Sequence, residues 1–190
     1  MKKDKKLNLR FGTITALILL AAFSRIVPHM PNFSPLGAMG LLGVTHFQRK
    51  WQSFLIVVAA VWLSDLFINN VIYAKYYSTF TWFYSVFYWI YATYLLIVLA
   101  GIVILKKITV MRIIAASLAA TTIFFLVTNF ICWPGSSPYS HDFSGMMICY
   151  AAGIPFLKET FSDDLFYSGI LFGGVALAQR QWPALKMKYE

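Results

Sequence analysis

Residues 94–132 read YLLIVLAGIVILKKITVMRIIAASLAATTIFFLVTNFIC, in which two apolar runs are separated by a short basic turn. The first run extends back to residue 80, so both runs reach the roughly 20 residues that span the hydrocarbon core of a bilayer. The turn contains Lys106 and Lys107, and such residues collect on the cytoplasmic side of membrane proteins. The stretch therefore predicts two membrane-spanning helices joined by a cytoplasmic turn.

The composition of the whole chain indicates the same class of protein. Its 190 residues are 59% hydrophobic and 12% charged, whereas soluble domains are about 25% charged. The mean hydropathy of +0.68 points to a bilayer as the solvent. The net charge of +9 does not indicate nucleic-acid binding, because the basic residues flank apolar segments and do not cluster on a polar face. We therefore expect a lipid bilayer, and no nucleic acid, as the partner.

Along the chain, the same length criterion predicts a single all-α domain, residues 1–190, with six membrane-spanning helices. The predicted helices cover residues 10–27, 35–47, 51–68, 80–105, 110–132 and 163–178. The second is short and rich in glycine, so we expect it to be packed inside the bundle. A further apolar stretch, 145–157, is interrupted by Gly153 and Pro155 and predicts a re-entrant or interfacial segment.

The basic residues divide between the two sides of these helices and so predict their orientation. Thirteen of the sixteen lie at the termini or on alternate connections, and only Arg25, Lys75 and Lys158 lie on the others. This bias predicts a multi-pass protein of the bacterial inner membrane with both termini in the cytoplasm. We expect the first helix to be retained, because the one small-x-small cleavage candidate is followed at once by Arg25.

The predicted outer connections carry most of the acidic, amide, histidine and proline residues, and hence the candidate ligand-binding groups. The predicted substrate-binding residues are Arg25, His29, Asn32, Asp65, Asn129, Trp133 and Asp142. An ionisable residue at membrane depth usually needs a partner, and Arg25 and Asp65 both fall near the outer boundary. A structural pair between them and separate contacts to a ligand are equally compatible with the sequence.

Two acidic residues and two cysteines each have more than one interpretation. Asp163 and Asp164 follow Ser162 at the predicted start of the sixth helix, where a serine cap and the helix dipole would explain them. An ion site or acid–base site is the alternative. Cys132 and Cys149 are too few for a metal framework, and they are compatible with one outer disulfide or with two unpaired thiols.

Recognisable enzyme motifs are missing from the sequence. It contains no HExxH, no GxSxG and no phosphate-binding loop that ends in GKS or GKT. We therefore expect no catalytic residues, no metal and no cofactor. Transport by such a chain would draw its energy from an ion gradient or from partner subunits.

Several stretches together resemble a known family. Residues 16–25, ALILLAAFSR, precede a proline-rich loop and a glycine-rich second helix, and residues 62–66 read WLSDL. This pattern resembles the S components, the substrate-binding subunits of energy-coupling factor (ECF) vitamin transporters. Residues 25–43, with 128–130 and 153–155, are also similar to an uncharacterised bacterial membrane family thought to be S-component-like.

The resemblance implies uptake of a vitamin or related small nutrient, over which the outer loops of the protein close. It also implies that the cytoplasmic side of the first helices meets a membrane coupling subunit with ATPases, often through an Ala-x-x-x-Ala stripe. The corresponding residues here are Gly12 and Ala16, followed by Ala21. The resemblance is also compatible with a solitary S component, which works without a coupling subunit. If the chain were a cobalamin-type importer of this kind, Cys132 would be its cobalt ligand.

Two other functional classes are compatible with the sequence. One is a self-sufficient, ion-coupled secondary transporter, in which Asp65 or Asp163 would be the coupling residue. The other is a membrane enzyme or assembly factor.

Overall fold

The structure is a computed structural model that describes residues 2–27, 34–135 and 138–186. All regular elements within these ranges are helical. The long helices are α1 (Lys2–Ser24), α2 (Leu36–His46), α3 (Lys50–Phe67), α4 (Phe87–Ile104), α5 (Val110–Gly135) and α6 (Phe143–Gln181). A π-helical turn, Ile68–Ile72, extends α3, and 3₁₀ turns cover Ala74–Tyr76 and Pro183–Leu185. The prediction of an all-α fold is therefore confirmed for the described residues.

Three helical stretches are long and apolar enough to cross a bilayer. They are Lys50–Ile72, Phe87–Ile104 and Val110–Gly135. The apolar part of α1, Leu9–Ser24, and the whole of α2 are shorter. The chain is thus a helical protein with membrane-spanning character, while the six spans and the cytoplasmic termini stay predictions.

The second helix forms the centre of the bundle, as its glycine content predicts. Every residue of α2 is buried, and α2 contacts all five of the other long helices. Glycines allow this close packing on both sides. A Cβ added at Gly43 would lie 3.2 Å from the backbone of Ser53, and one at Gly101 would lie 3.0 Å from the side chain of Leu41.

The prediction of a separate re-entrant segment, 145–157, followed by a helix at 163–178, is wrong. Both stretches belong to α6, a single helix of 39 residues that contains Pro155. Proline removes one backbone donor and bends a helix, but packing against a neighbouring helix can hold the helix together through it. At 1.5 Å per residue, α6 is roughly 58 Å long, about twice the thickness of the hydrocarbon core.

The predicted start of the fourth helix at residue 80 is also wrong, because α4 begins at Phe87. The preceding aromatic segment is instead tied to the end of α3. The side-chain amide of Asn70 donates to the Thr81 carbonyl at 2.9 Å, and its oxygen accepts from the Thr81 amide at 2.7 Å. The indole of Trp62 donates to the Trp82 carbonyl at 3.1 Å. These bonds hold the segment in an irregular conformation.

The remaining helix boundaries differ from the predictions mainly at the ends. The first helix begins at Lys2 and ends at Ser24, and the fifth continues past residue 132, through Pro134, to Gly135. The second and third predicted helices agree with α2 and α3 to within one residue at each end.

Helices α5 and α6 pack side by side in antiparallel orientation. Their contacts include a hydrogen bond between the hydroxyls of Ser117 and Ser168, 3.0 Å apart. Further along, the hydroxyl of Tyr150 donates to the Leu126 carbonyl at 2.7 Å. These hydrogen bonds lie along the interface between α5 and α6, which we call the seam.

Candidate functional site

Arg25 and Asp65 form an ion pair where the ends of α1 and α3 meet. Nη1 of Arg25 lies 2.8 Å from Oδ1 of Asp65, and the same nitrogen donates to the hydroxyl of Ser64 at 2.7 Å. The two charged side chains are only 18% and 10% exposed. The second carboxylate oxygen of Asp65 is buried and has no hydrogen-bond partner among the described residues. The pairing suggested by the sequence is therefore present.

A cavity of about 300 Å³, which we call the central cavity, lies beside this ion pair. It is enclosed by the start of α2, by α4, α5 and α6, and by the segments that follow α1 and α3. Its lining residues are Arg25, Ser34, Leu36, Gly37, Ile68, Tyr73, Ile97, Ala120, Phe124, Thr160 and Asp164. Most of this wall is apolar, so its charged and hydroxyl groups stand out as the groups that would orient a ligand.

Asp164 is the buried acidic group in the wall of the central cavity. Its side chain is almost fully buried, and the hydroxyl of Thr121 donates to Oδ2 at 2.7 Å. The backbone amide of Ala38 also hydrogen-bonds to this carboxylate. A Cβ added at Gly37 would overlap Oδ1, so the carboxylate rests directly against the backbone of α2.

This arrangement provides a hydrogen-bond acceptor for the backbone amides in the first turn of α2. The residue before the helix is Pro35, which makes no side-chain cap, and the first amides of a helix have no partner within it. Asp164 supplies a hydrogen-bond acceptor at that end of α2. The interpretation of Asp163 and Asp164 as first-turn residues of their own helix is wrong, since both lie in the middle of α6.

A second cavity, of about 380 Å³, lies between α5 and α6, and we call it the hairpin cavity. Asn129, Cys132, Tyr139, Cys149 and Gly153 belong to its wall. Phe124 and Thr160 line both cavities and so separate them. The two cavities are therefore neighbours along the seam of α5 and α6.

The predicted binding residues do not all gather at one place. Arg25 lines the central cavity with Asp65 bonded to it, whereas Asn129 lines the hairpin cavity. The side-chain amide of Asn129 donates to the Phe125 carbonyl at 2.8 Å. His29 and Asn32 lie outside the described residues.

Trp133 and Asp142 stabilise the connection between α5 and α6. The indole of Trp133 donates to the Ser140 carbonyl at 2.8 Å. Oδ1 of Asp142 accepts from the Gly145 amide at 2.7 Å, which caps α6, and from the Ser140 hydroxyl at 2.7 Å. The Gly145 amide, and then the Ser140 hydroxyl, hold the pKa of Asp142 below its usual value. Neither Trp133 nor Asp142 lines the two cavities.

The negative charge of Asp65 also affects the pKa of a tyrosine that lies outside the helices. Tyr84 lies in the segment before α4, and burial, followed by the negative charge of Asp65, raises its pKa above the usual value.

Of the residues that line the central cavity, only Arg25 belongs to the predicted site, and four of the residues that the prediction missed matter most for its chemistry. They are Ser34, Gly37 and Asp164 in its wall and Thr121 behind Asp164. The glycine-rich helix and the adjacent carboxyl groups of Asp163 and Asp164 were the available signals. What the sequence could not show is that Gly37 and Asp164, which are far apart in the chain, touch each other.

Comparison with known proteins gives one family match, which covers residues 5–185. The chain belongs to DUF6580, a family of unknown function. No curated protein and no solved structure matches it. The match covers both cavities and the Arg25–Asp65 pair, so these features lie inside the family domain. It adds no support for the resemblance to S components, and the function has to be argued from the site.

Proposed function

We propose that this DUF6580 protein is a membrane-embedded, substrate-binding subunit for uptake of a small nutrient, such as a vitamin or a related compound. The observation that carries the proposal is the central cavity, whose apolar wall contains the guanidinium group of Arg25 and the carboxyl group of Asp164. Small-molecule sites are typically apolar concave pockets from about 300 Å³ upward, with a few polar groups that fix the ligand. The central cavity has this composition and lies at the lower end of that range.

The position of the cavity along α2 supports binding from the outer side. The first turn of α2 faces the cavity and Asp164, while its other end is bound by cations. Arg10 donates to the His46 carbonyl at 2.5 Å, and Lys50 donates to the Val44 carbonyl at 2.6 Å. Basic residues favour the cytoplasmic side, so the cavity lies toward the opposite side. This also suits the helix dipole, which favours an anion at the start and cations at the end.

The chemistry of the wall favours a ligand that has both a flat apolar part and polar substituents. Asp164 offers an acceptor, Arg25 offers donors, and the Ser34 hydroxyl is buried with no partner among the described residues. Tyr73 and Phe124 contribute aromatic surface on which a ring could stack. A small aromatic or heterocyclic nutrient combines these properties.

An energising partner is part of the proposal, because the sequence has no nucleotide-binding motif. We propose a membrane coupling subunit with ATPases. The small residues Gly12 and Ala16 of α1 are exposed and one helical turn apart, and a Cβ at Gly12 would meet nothing within 4 Å. Small residues allow close approach of a second helix in a membrane, which supports docking on this face of α1.

A self-sufficient, ion-coupled transporter is the second candidate, and Asp164 is the observation that favours it. Buried carboxylates within membrane bundles commonly mark ion and proton pathways. In this alternative, Asp164 would exchange a proton or cation as the central cavity changes its access.

A ligand screen tests the binding function directly. The purified full-length protein would be screened by thermal shift against vitamins and related heterocycles, beside the variants Arg25→Ala and Asp164→Asn. We expect at least one compound to stabilise the wild type and to lose its effect on both variants. Lys75→Ala, which changes an exposed cation that lines neither cavity, is the matched control and should respond as the wild type does. A screen in which no compound stabilises the wild type would contradict the proposal.

Uptake measurements separate the two candidates. In cells that take up the identified compound, deletion of the coupling subunit should abolish uptake if the protein is a binding subunit. Uptake that continues without that subunit, but stops when an uncoupler removes the proton gradient, would favour the second candidate.

A further inference from the structure

The two cysteines of the chain meet in the wall of the hairpin cavity. Cys132 lies in the last turns of α5 and Cys149 in the second turn of α6, and both line this cavity. Their thiols are hydrogen-bonded to each other. Cys132 is exposed, whereas Cys149 is buried. One thiol of the contacting pair is therefore accessible from outside the bundle.

Packing between α5 and α6 around the cysteines holds this contact. One turn before Cys132, the side chain of Asn129 rests against Gly153 of α6 so closely that a Cβ at Gly153 would lie 2.5 Å from its Oδ1. The thiol of Cys149 lies 3.7 Å from the Asn129 carbonyl. Tyr150 is bonded to the Leu126 carbonyl on the same seam. The neighbouring residues thus hold the two cysteines opposite each other.

We propose that Cys132 and Cys149 are a redox-active pair that closes to an intramolecular disulfide on the outer side of the membrane. The charge bias places the connection between α5 and α6 on that side, where disulfides persist. Facing thiols on adjacent, packed helices meet the main requirement for the bond, since cysteines that point apart cannot be bridged without moving the backbone. The proposal does not depend on the proposed transport function.

The reaction is a thiol–disulfide exchange with an extracytoplasmic thiol oxidoreductase in its disulfide form. The accessible Cys132, as thiolate, attacks the disulfide of the oxidant and forms a mixed disulfide. Cys149, after loss of its proton, then attacks the sulfur of Cys132, and the oxidant leaves as a dithiol. Two electrons pass to the oxidant, and the two protons lost by the thiols balance those gained by the departing dithiol.

The bond would join the two helices across their connection and fix the width of the hairpin cavity. Since this cavity adjoins the central cavity at Phe124 and Thr160, the redox state would control how far α5 and α6 can separate there. A reducing medium would release the two helices, and an oxidising medium would lock them.

Thiol counting on the full-length protein tests the pair. The chain contains two cysteines, so a maleimide carrying a polyethylene glycol chain reports both thiols as two steps on a gel. After reduction with dithiothreitol we expect two labels, and after treatment with oxidised glutathione we expect none, with a monomeric product that is two hydrogens lighter by intact mass. Cys132→Ser and Cys149→Ser should each take one label after reduction, and neither should give a product two hydrogens lighter after treatment with oxidised glutathione.

Three results would overturn the proposal. They are retention of both labels by the oxidised wild type, formation of a disulfide-linked dimer instead of a monomer, and labelling of the reduced thiols by a membrane-impermeant maleimide only after the cells are lysed. The first two are measured on the wild type alone, so the outcome does not depend on whether the variants fold. As a second readout, the oxidised wild type should unfold about 5 °C or more above the reduced form, and neither serine variant should show this difference.

Discussion

The carboxylate of Asp164, in the middle of α6, lies directly against the backbone of Gly37 in the first turn of α2, with no space for a side chain between them. This contact brings an acidic group to the start of the central helix and into the wall of the central cavity. It also makes position 37 a test of the site, because the smallest possible side chain there would collide with Asp164.

Substitution of Gly37 by alanine should destabilise the protein by about 1–3 kcal/mol, because the added methyl group overpacks a buried contact. The matched control is Gly169→Ala in α6, where a Cβ would meet nothing within 4 Å. That substitution should be neutral or stabilising by up to about 1 kcal/mol, since alanine is the better helix former. Unfolding in a mild detergent with increasing denaturant measures both.

The collision with Asp164 can be isolated by a double substitution. If the carboxylate is what the methyl group meets, Asp164→Ala should relieve the clash, and the double variant should be more stable than the sum of the single effects. Strict additivity would mean that Gly37→Ala acts through something other than Asp164.

Thr121→Val should cost about 1–3 kcal/mol of stability, because it leaves the buried carboxylate of Asp164 without the donor that now lies 2.7 Å from it. Thr122→Val is the matched control on the next residue of α5. Its hydroxyl is exposed and bonds to the Leu118 carbonyl of its own helix, so we expect a change within about 0.5 kcal/mol. Equal effects of the two substitutions on the denaturation midpoint would contradict this assignment.

The contrast between α2 and α6 shows what the sequence reveals and what it leaves open. The small residues of α2 predicted its place inside the bundle, because helices pack closely only where side chains are small. In α6, Gly153 and Pro155 indicated a break, yet the helix continues through both. Helix propensity is a local property, whereas the seam with α5 that supports α6 is formed by residues from another part of the chain.

The candidate site could likewise be predicted only in part. Arg25 and Asp65 could be matched because both are charged, and both fall near one boundary of the predicted membrane. The sequence around Asp164 indicates a residue at the start of a helix, whereas the residues that it contacts, Gly37 and Thr121, come from other helices. Contacts between residues that are far apart in the chain leave no local sequence pattern from which they could be predicted.

Removal of one member of the Arg25–Asp65 pair should be more harmful than removal of both. Arg25→Met leaves the carboxylate of Asp65 buried and without its cation, and such changes cost about 3–5 kcal/mol. Arg25→Met combined with Asp65→Leu replaces the pair by apolar groups and should recover at least half of this loss. A double variant that is less stable than either single variant in thermal unfolding would show that the pair itself is strongly stabilising.

The start of α6 should loosen in acid because of Asp142. The pKa of this cap is lowered in the folded protein by the Gly145 amide and the Ser140 hydroxyl. The ionised cap therefore contributes fully to the stability of the start of α6 above the pKa of Asp142 in the unfolded chain, about 4. This contribution disappears as the pH falls through the lower pKa of Asp142 in the folded state. The protection factors of the amides in the first turns of α6, which compare their exchange with the intrinsic rate at each pH, should fall over that range.

The variant Asp142→Asn separates the charge from the hydrogen bond. An asparagine oxygen still accepts from the Gly145 amide, so the cap should persist while the acid-dependent loosening disappears. In Asp142→Ala, the same amides should show low protection factors at every pH. If Asp142→Asn keeps the acid response of the wild type, another group causes it.

Tyr94→Phe should leave stability unchanged or raise it by up to about 1 kcal/mol. The ring of Tyr94 is 1% exposed, and its hydroxyl has no hydrogen-bond partner among the described residues, so the hydroxyl pays a desolvation cost without a compensating bond. Tyr150→Phe is the matched control, since it removes a hydroxyl that donates to Leu126 at 2.7 Å, and it should cost about 0.5–1.5 kcal/mol. A loss above about 1 kcal/mol for Tyr94→Phe in thermal unfolding would show that its hydroxyl is bonded in the folded protein.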